Sequence, residues 1–142
     1  MIMNKIFIDT DVILDFFFDR KPFSDHATKL FMLCEKKVVT AFVTPVILSN
    51  VYYLLRKTAK HEKVMEKLKI LISLIDIATI NKATIVEAIN SEFKDFEDAL
   101  QNFAAQNDQE IQVIVTRNVK DFKKSRLTVM NPETYLRSIN ML

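Results

Sequence analysis

Apolar positions along this chain follow two different periods. Ile6-Phe7-Ile8 is an unbroken run that opens on Lys5 and stops at Asp9. It reads as a strand buried on both faces, as in a parallel sheet. Val12-Ile13-Leu14-Asp15 follows closely. Between Pro22 and Lys37 the spacing changes, and Ala27, Leu30, Phe31 and Cys34 recur at helical intervals. Val38 to Val43 is rich in β-branched residues and reads as a second strand. Thr44-Pro45 pairs an N-cap residue with a proline at the first helical position, and the helix it opens runs to about Lys57. A further helix fits Glu62 to Ile75, a short strand Asp76 to Thr79, and a helix about Lys82 to Phe93. Asp95 is placed as the N-cap of the next helix. Ile111 to Thr116 is a strong strand, Leu127 to Met130 a weaker one, and Pro132 starts a last helix ending near Ile139. Strands alternating with helices predict an α/β domain built on a mostly parallel sheet.

Composition narrows the function classes. A chain of 142 residues, 49% hydrophobic and 27% charged, fits one globular domain over residues 1–142 with a sizeable core. A formal charge of +2 makes no gross demand for nucleic acid, so local clusters must carry that argument. The single cysteine, Cys34, rules out an internal disulfide, fits a reducing cytoplasm, and reads as a small buried hydrophobe on a helix. Acids interrupt the N-terminal apolar stretch, which therefore lacks the shape of a signal peptide. Val38 to Leu55 carries no formal charge, but Pro45 and several polar residues within it favour a strand and helix over a membrane span. There is no glycine at all. A P-loop and a dinucleotide fingerprint both need glycine for tight turns and close backbone approach, so both are excluded. Phosphate chemistry here must use side chains and metal.

Three groups of acids fall at comparable places on this map. Asp9 and Asp11 follow the first strand, and Asp95, Glu97 and Asp98 sit around the first turn of a helix. Asp121 lies in Thr116-Arg117-Asn118-Val119-Lys120-Asp121-Phe122, just past the Ile111–Val115 strand. Open parallel sheets bind ligands at the carboxyl ends of their strands. Strand ends and helix starts at one sheet edge can therefore converge. Carboxylates gathered there repel one another unless protonated or metal-bound, and an unpaired one beside an apolar core is costly. Mg²⁺ or Mn²⁺, hard cations that take oxygen ligands, suit such a cluster. His26 and His61 lie apart from it in the sequence, which argues against a histidine-rich zinc site. Plainer roles exist: Asp95 as a cap, Glu97 as a solvent-facing charge on the helix dipole, Asp11 as a solvated residue at a helix start. For Asp9, Asp98 and Asp121 the functional reading is preferred.

In this arrangement the chain resembles the PIN domain, a nuclease family that includes VapC-type ribonuclease toxins. The resemblance covers almost the whole length. It rests on the ordered set Phe7 to Asp15, Asp95 to Gln101 and Thr116 to Phe122, with Ser49 to Lys57 similar to one branch of the family. It implies a three-layer α/β/α sandwich and Mg²⁺- or Mn²⁺-dependent cleavage of RNA phosphodiesters. Asp9 matches the first metal-binding acid and Asp98 the acid on the later helix. Asn118 and Asp121 match the last polar and acidic positions, and Thr116 the hydroxyl that supports the site. Asn50 stands where many PIN nucleases carry Glu, and an uncharged amide is a weaker ligand for a hard cation. Asp11 stands where the pattern usually has Asn. Asp11, Asn50, Asp95 and Glu97 are therefore accessory candidates.

On this reading Asp9, Asp98 and Asp121 hold one or two ions, and a bound water becomes the nucleophile. Arg117 and Lys120 are the basic residues nearest the site in sequence and the candidates for binding the RNA backbone. Arg20-Lys21, Arg56-Lys57-Lys60 and Lys123-Lys124-Arg126 are further basic groups whose plainer reading is a solvated surface. Phe16-Phe17-Phe18 reads as core or partner interface, and an exposed part of it would serve a homodimer or an antitoxin contact. Two rivals stand beside the nuclease. Asp9-Thr10-Asp11 after a buried strand also resembles haloacid dehalogenase-like phosphatases, against which the missing glycines weigh. Asn50 motivates the other, a PIN module that binds RNA or a partner protein without cutting.

Overall fold

A computed structural model of the chain describes residues 3–142. Five strands form one sheet: β1 (Lys5–Ile8), β2 (Thr40–Val43), β3 (Asp76–Ile77), β4 (Val113–Val115) and β5 (Thr128–Met130). Their order across the sheet is β3-β2-β1-β4-β5, and every neighbouring pair is parallel. The expectation of a mostly parallel sheet holds in full. Among the described residues six α-helices connect the strands, α1 (Thr10–Phe17), α2 (Ser24–Glu35), α3 (Pro45–Arg56), α4 (His61–Leu74), α5 (Lys82–Ile89) and α6 (Phe96–Asn107), and α7 (Pro132–Ser138) follows β5. From β1 the chain steps one way to β2 and β3, then crosses back to β4 on the other side. Right-handed crossovers put the connections on opposite faces when the direction reverses. Accordingly α1 to α4 pack among themselves, with α7 against α2, while α5 and α6 pair separately. The result is an α/β/α sandwich.

The central strands are apolar because both faces are covered. Ile6, Phe7 and Ile8 on β1 and Val113, Ile114 and Val115 on β4 are completely buried. At about 25 cal/mol per Å² of apolar surface, such residues dominate the stabilisation of the fold. Phe16 and Phe17 turn toward this core, Phe16 packing on Phe31, while Phe18 is 38% exposed.

Some element ends differ from the expected ones. The helix expected to reach Phe93 stops at Ile89. There the Asn90 side chain donates to the Val86 carbonyl and Ser91 Oγ to the Ala88 carbonyl, which closes the last turn. Phe93 then leaves the helix and packs on Phe103 and Phe122. Val38 and Val39 precede β2 because the chain turns at Lys37, which has φ 61°. The reversal of direction at β1 is a topological switch point, the place where parallel sheets open a crevice at their carboxyl edge. Asp9 and Thr116 are the residues that leave β1 and β4 there.

Candidate active site

Asp9 ends β1 and begins α1. Its extended backbone lets it act as N-cap, with Oδ1 accepting from the Thr10 N–H at 2.8 Å. Its own N–H bonds the Val115 carbonyl at 3.1 Å, so the β1–β4 ladder runs right up to the site. Thr116, fully buried past the end of β4, donates its hydroxyl to Asp9 Oδ2 at 2.9 Å. Both carboxylate oxygens are thus engaged. Burial nevertheless raises the carboxyl above its ordinary range, only partly offset by the Thr116 and Thr10 bonds, and the charges of Asp121 and Asp95 push the same way.

The segment after Thr116 folds back on α1. Asp11 Oδ2 accepts from the Arg117 backbone N–H at 3.1 Å and from Asn118 Nδ2 at 3.2 Å, and the Asn118 N–H donates to Thr116 Oγ1 at 3.0 Å. The other Asp11 oxygen is buried without a hydrogen-bond partner. Burial, then the charge of Asp9, push Asp11 up to about 6. The Asn118 carbonyl accepts from the Asp121 N–H at 3.0 Å, which starts a 3-10 turn over Val119–Phe122 and presents Asp121 to solvent beside the cleft.

The third group comes from α6. Asp95 is its N-cap and accepts from the Asp98 N–H at 2.9 Å. Asp98 is partly exposed, and its carboxyl is pushed up to about 7, first by burial and then by Asp95, Asp9, Asp121 and Glu97 in that order. Glu97 is raised by burial and by Asp95, against a hydrogen bond from Asn50 Nδ2 on α3. That bond ties the accessory pair Asn50 and Glu97 together rather than leaving Glu97 loose in solvent.

The structure therefore brings Asp9, Asp11, Asp95, Glu97, Asp98, Asn50, Arg117 and Asn118 to one cleft of about 560 Å³. Asp121 and Lys120 line an adjoining recess of about 270 Å³ that shares Asp95 and Asp98 with it. Thr116 lies beneath, bonded to Asp9. Among the described residues, no three His, Cys, Asp or Glu side chains already close on a single point as a metal cage. The donor set is nonetheless made of carboxylate oxygens, of which those of Asp9, Asp11, Glu97 and Asp98 are raised by burial and by neighbouring acids, and Asp11 keeps an unpartnered oxygen. Such a set fits a hard divalent cation and fits zinc poorly. Neither histidine lines the cleft, and His61 is bonded to the Tyr52 hydroxyl at 2.9 Å.

One residue of this neighbourhood escaped the sequence reading. Asp15 is 1% exposed and pairs with Arg117 through two bonds, Nε to Oδ2 at 2.7 Å and Nη2 to Oδ1 at 3.1 Å. Arg117, a candidate for holding substrate, thus has its guanidinium engaged by the protein. A signal was present in the sequence. Asp15 stands one helical turn after Asp11 and directly behind Val12-Ile13-Leu14, and an acid in an apolar helix run needs a partner.

A parallel sheet in the order β3-β2-β1-β4-β5, with acids from three elements at its switch point, defines an α/β protein with an acidic cleft at the carboxyl edge. The PIN domain family matches residues 5–120, and the chain belongs to that family. It is 26% identical over 144 residues to Ribonuclease VapC1 of Aquifex aeolicus (strain VF5), covering 98% of both chains. Solved structures share the fold at lower identity. VapBC2 from Rickettsia felis bound to a promoter DNA fragment matches with a TM-score of 0.65 at 19% identity, over 89% of this chain and 98% of that one. A toxin–antitoxin complex from Klebsiella pneumoniae matches at 0.66 and 19%, over 89% and 97%. The sarcin–ricin-loop-cleaving toxin VapC20 of Mycobacterium tuberculosis matches at 0.58 and 18%, over 77% and 86%.

Proposed function

We propose that this protein is a metal-dependent endoribonuclease that hydrolyses RNA phosphodiester bonds as the toxin of a toxin–antitoxin pair. The observation that carries this reading is the convergence of Asp9, Asp98 and Asp121 at one edge, where burial first, and then neighbouring acid charges that include Asp121, raise Asp9 and push Asp98 up to about 7. Carboxylates in that condition gain most from a cation. Asp9, Asp98 and Asp121 are assigned as the holders of Mg²⁺ or Mn²⁺, with Asp11, Asp95, Glu97 and Asn50 as accessory groups. Held by these residues, such an ion would supply a hydroxide near neutral pH and would screen the acids against an incoming phosphate. Thr116 steadies Asp9 through its hydroxyl, and Asn118 holds Asp11 and begins the turn that carries Asp121. Lys120 supplies positive charge beside Asp121 for the RNA backbone.

The 26%-identical relative named as a ribonuclease supports the RNA substrate, and the structural neighbour named as a toxin–antitoxin complex supports an antitoxin partner. A homodimer is a further assembly consistent with this reading, and an unpaired buried thiol suits a cytoplasmic protein. Among the described residues no helix is long and apolar enough to cross a membrane.

The test is incubation of the purified protein with mixed RNA and DNA in Mn²⁺, Mg²⁺ or EDTA, beside an Asp98→Asn variant. The expected result is RNA cleavage that needs both the ion and Asp98. Cleavage independent of either, or none, overturns the proposal. Tight RNA binding without cleavage points instead to a non-catalytic PIN module, and a phosphate trapped on Asp9 to the phosphatase alternative.

A further inference from the structure

Asp15 is a carboxylate almost wholly removed from solvent, and it faces two arginines that approach differently. Arg117 meets it with the two-bond fork described above, and its guanidinium lies over the face of the Phe23 ring at 4.0 Å from the centroid. Arg20 places Nε 2.9 Å from Asp15 Oδ1 without the alignment of a hydrogen bond. Its Nη2 donates only a long bond, 3.3 Å, to the Asp11 carbonyl. The Arg20 side chain is 41% exposed and that of Arg117 27%. Asp15 can match only one of the two guanidinium groups, and the less tightly held Arg20 lies on the wall of the cleft that holds Asp9, Asp11 and Asp98.

The Arg117 main chain is fastened as firmly as its side chain. The Arg117 N–H and Asn118 Nδ2 both donate to Asp11, the Asn118 N–H to Thr116 Oγ1, and Thr116 Oγ1 to Asp9. The Asp15–Arg117 fork therefore closes a loop of bonds. α1 supplies Asp11 and Asp15, Asp9 caps it, and the segment after β4 supplies the partners that reach them from across the sheet edge. A planar bidentate pair fixes orientation as well as distance, which a single charged contact does not.

We propose that Asp15 is the positioning residue of this site. It withdraws Arg117 from the substrate, uses it to hold Thr116 and Asn118 against Asp9 and Asp11, and leaves Arg20 as the cation that meets an RNA phosphate. This assignment rests on the ribonuclease reading for its substrate, while its positioning half stands on the bonding alone. It departs from the expectation that Arg117 binds RNA.

The experiment compares Asp15→Asn, Arg117→Lys, their double variant, Arg20→Gln and Arg117→Gln. Cleavage is followed under single-turnover conditions with Mn²⁺, and binding to a single-stranded RNA is measured in EDTA across a salt series. Asp15→Asn and Arg117→Lys should each lower the cleavage rate constant at least about 10-fold, leave the RNA Kd within about 2-fold, and combine with no further loss. Arg20→Gln should weaken RNA binding several-fold and reduce the salt slope by roughly 0.7, one phosphate contact on a single strand. Arg117→Lys retains the charge, so it tests the fork even where Asp15→Asn fails to fold. Amide hydrogen exchange is read on the same proteins: Arg117→Lys should speed exchange at the N–H groups of residue 117 and Asn118 at least about 10-fold over wild type.

Weaker RNA binding with a flatter salt slope on Arg117→Gln would overturn the assignment of the two arginines. Additive rate losses, or a lower melting temperature with an unchanged rate constant, would reduce Asp15 to a structural ion pair. If the wild-type protein cuts no RNA, the ribonuclease reading fails by itself. The exchange measurement then still decides the positioning role, with unchanged protection counting against it.

Discussion

Asn50 on α3 donates its side-chain amide to the Glu97 carboxylate on α6, across the mouth of the acid-lined cleft. A neutral group sits where another acid would add to the repulsion already felt by Glu97, whose carboxyl is raised by burial and by Asp95. Asn50→Glu should therefore lower the melting temperature in EDTA by about 4 °C, equivalent to roughly 1 kcal/mol for a chain of this size. The same variant should gain more than wild type from Mn²⁺, because a cation relieves the added charge. Thermal melts of both proteins in EDTA and in millimolar Mn²⁺ give the comparison. Equal Mn²⁺ gains would mean that Glu97 and residue 50 do not share the ion's environment.

The raised acids make a prediction about pH. Asp98 is pushed up to about 7 and Asp11 to about 6, chiefly by burial. Below about pH 4 these groups are protonated in both the folded and the unfolded chain. Between pH 4 and 7 the folded chain binds more protons than the unfolded one, so stability falls as pH rises through that window. In EDTA the melting temperature should decline from pH 5 to pH 8, and Asp98→Asn should flatten the decline. On the proposed metal-binding reading, millimolar Mn²⁺ should oppose it by favouring the deprotonated acids. Cleavage should show the opposite trend and rise from pH 6 to pH 8 as the acids are freed. A metal-free melting temperature that rises over this range would show that the cluster is not strained by its own charge.

How much of this was legible in the chain follows from which forces act locally. The Ile6-Phe7-Ile8 run and the Thr44-Pro45 pair read correctly because burial on both faces and helix capping leave direct marks in adjacent residues. Asp95 as a cap read correctly for the same reason. The alternation of elements allowed Asp9, Asp98 and Asp121 to meet at one edge, and the family resemblance pointed to the same three acids. What stayed hidden depends on contacts between distant segments. The Asp15–Arg117 pair spans 102 residues, and the Asn50–Glu97 bond 47. Sequence proximity made Arg117 look free for substrate, whereas the fold gives it a buried acid. The end of α5 at Ile89 was missed because Asn90 and Ser91 close the helix with their side chains without a glycine or proline to announce it.

Tyr135 on α7 supplies a stability test far from the chemistry. Its ring is fully buried, and its hydroxyl donates to the Met3 carbonyl at 2.7 Å, fastening the last helix to the chain just before β1. Tyr135→Phe keeps the packing and removes the donor. Leaving that carbonyl unpaired should cost about 1–2 kcal/mol, a drop of roughly 4–7 °C in melting temperature. Metal-dependent cleavage at 25 °C should be unchanged, because Tyr135 lines neither recess of the site. A loss of cleavage larger than the loss of folded protein would reveal a coupling between α7 and the site.

Cys34 offers a direct view of how the core opens. It is 6% exposed on α2, and burial pushes its thiol up to about 12. Since the thiolate is the reactive form, alkylation at pH 7.5 must wait for the thiol to reach water. Labelling by iodoacetamide in native buffer should be slower than for a free thiol by a factor on the order of 10³ or more, set by the opening equilibrium. In a urea series the labelling midpoint should coincide with that of tyrosine fluorescence, the chain having three tyrosines and no tryptophan. Coincidence is expected because Cys34 belongs to the same buried cluster as Ile6, Phe7 and Val113. Labelling well below the fluorescence midpoint would show that α2 detaches from the sheet before the rest of the molecule unfolds. In that case the Asp15–Arg117 fork, held on α1 and the segment after β4, should remain closed while α2 is open, and protection of the Arg117 N–H at that urea concentration decides the point.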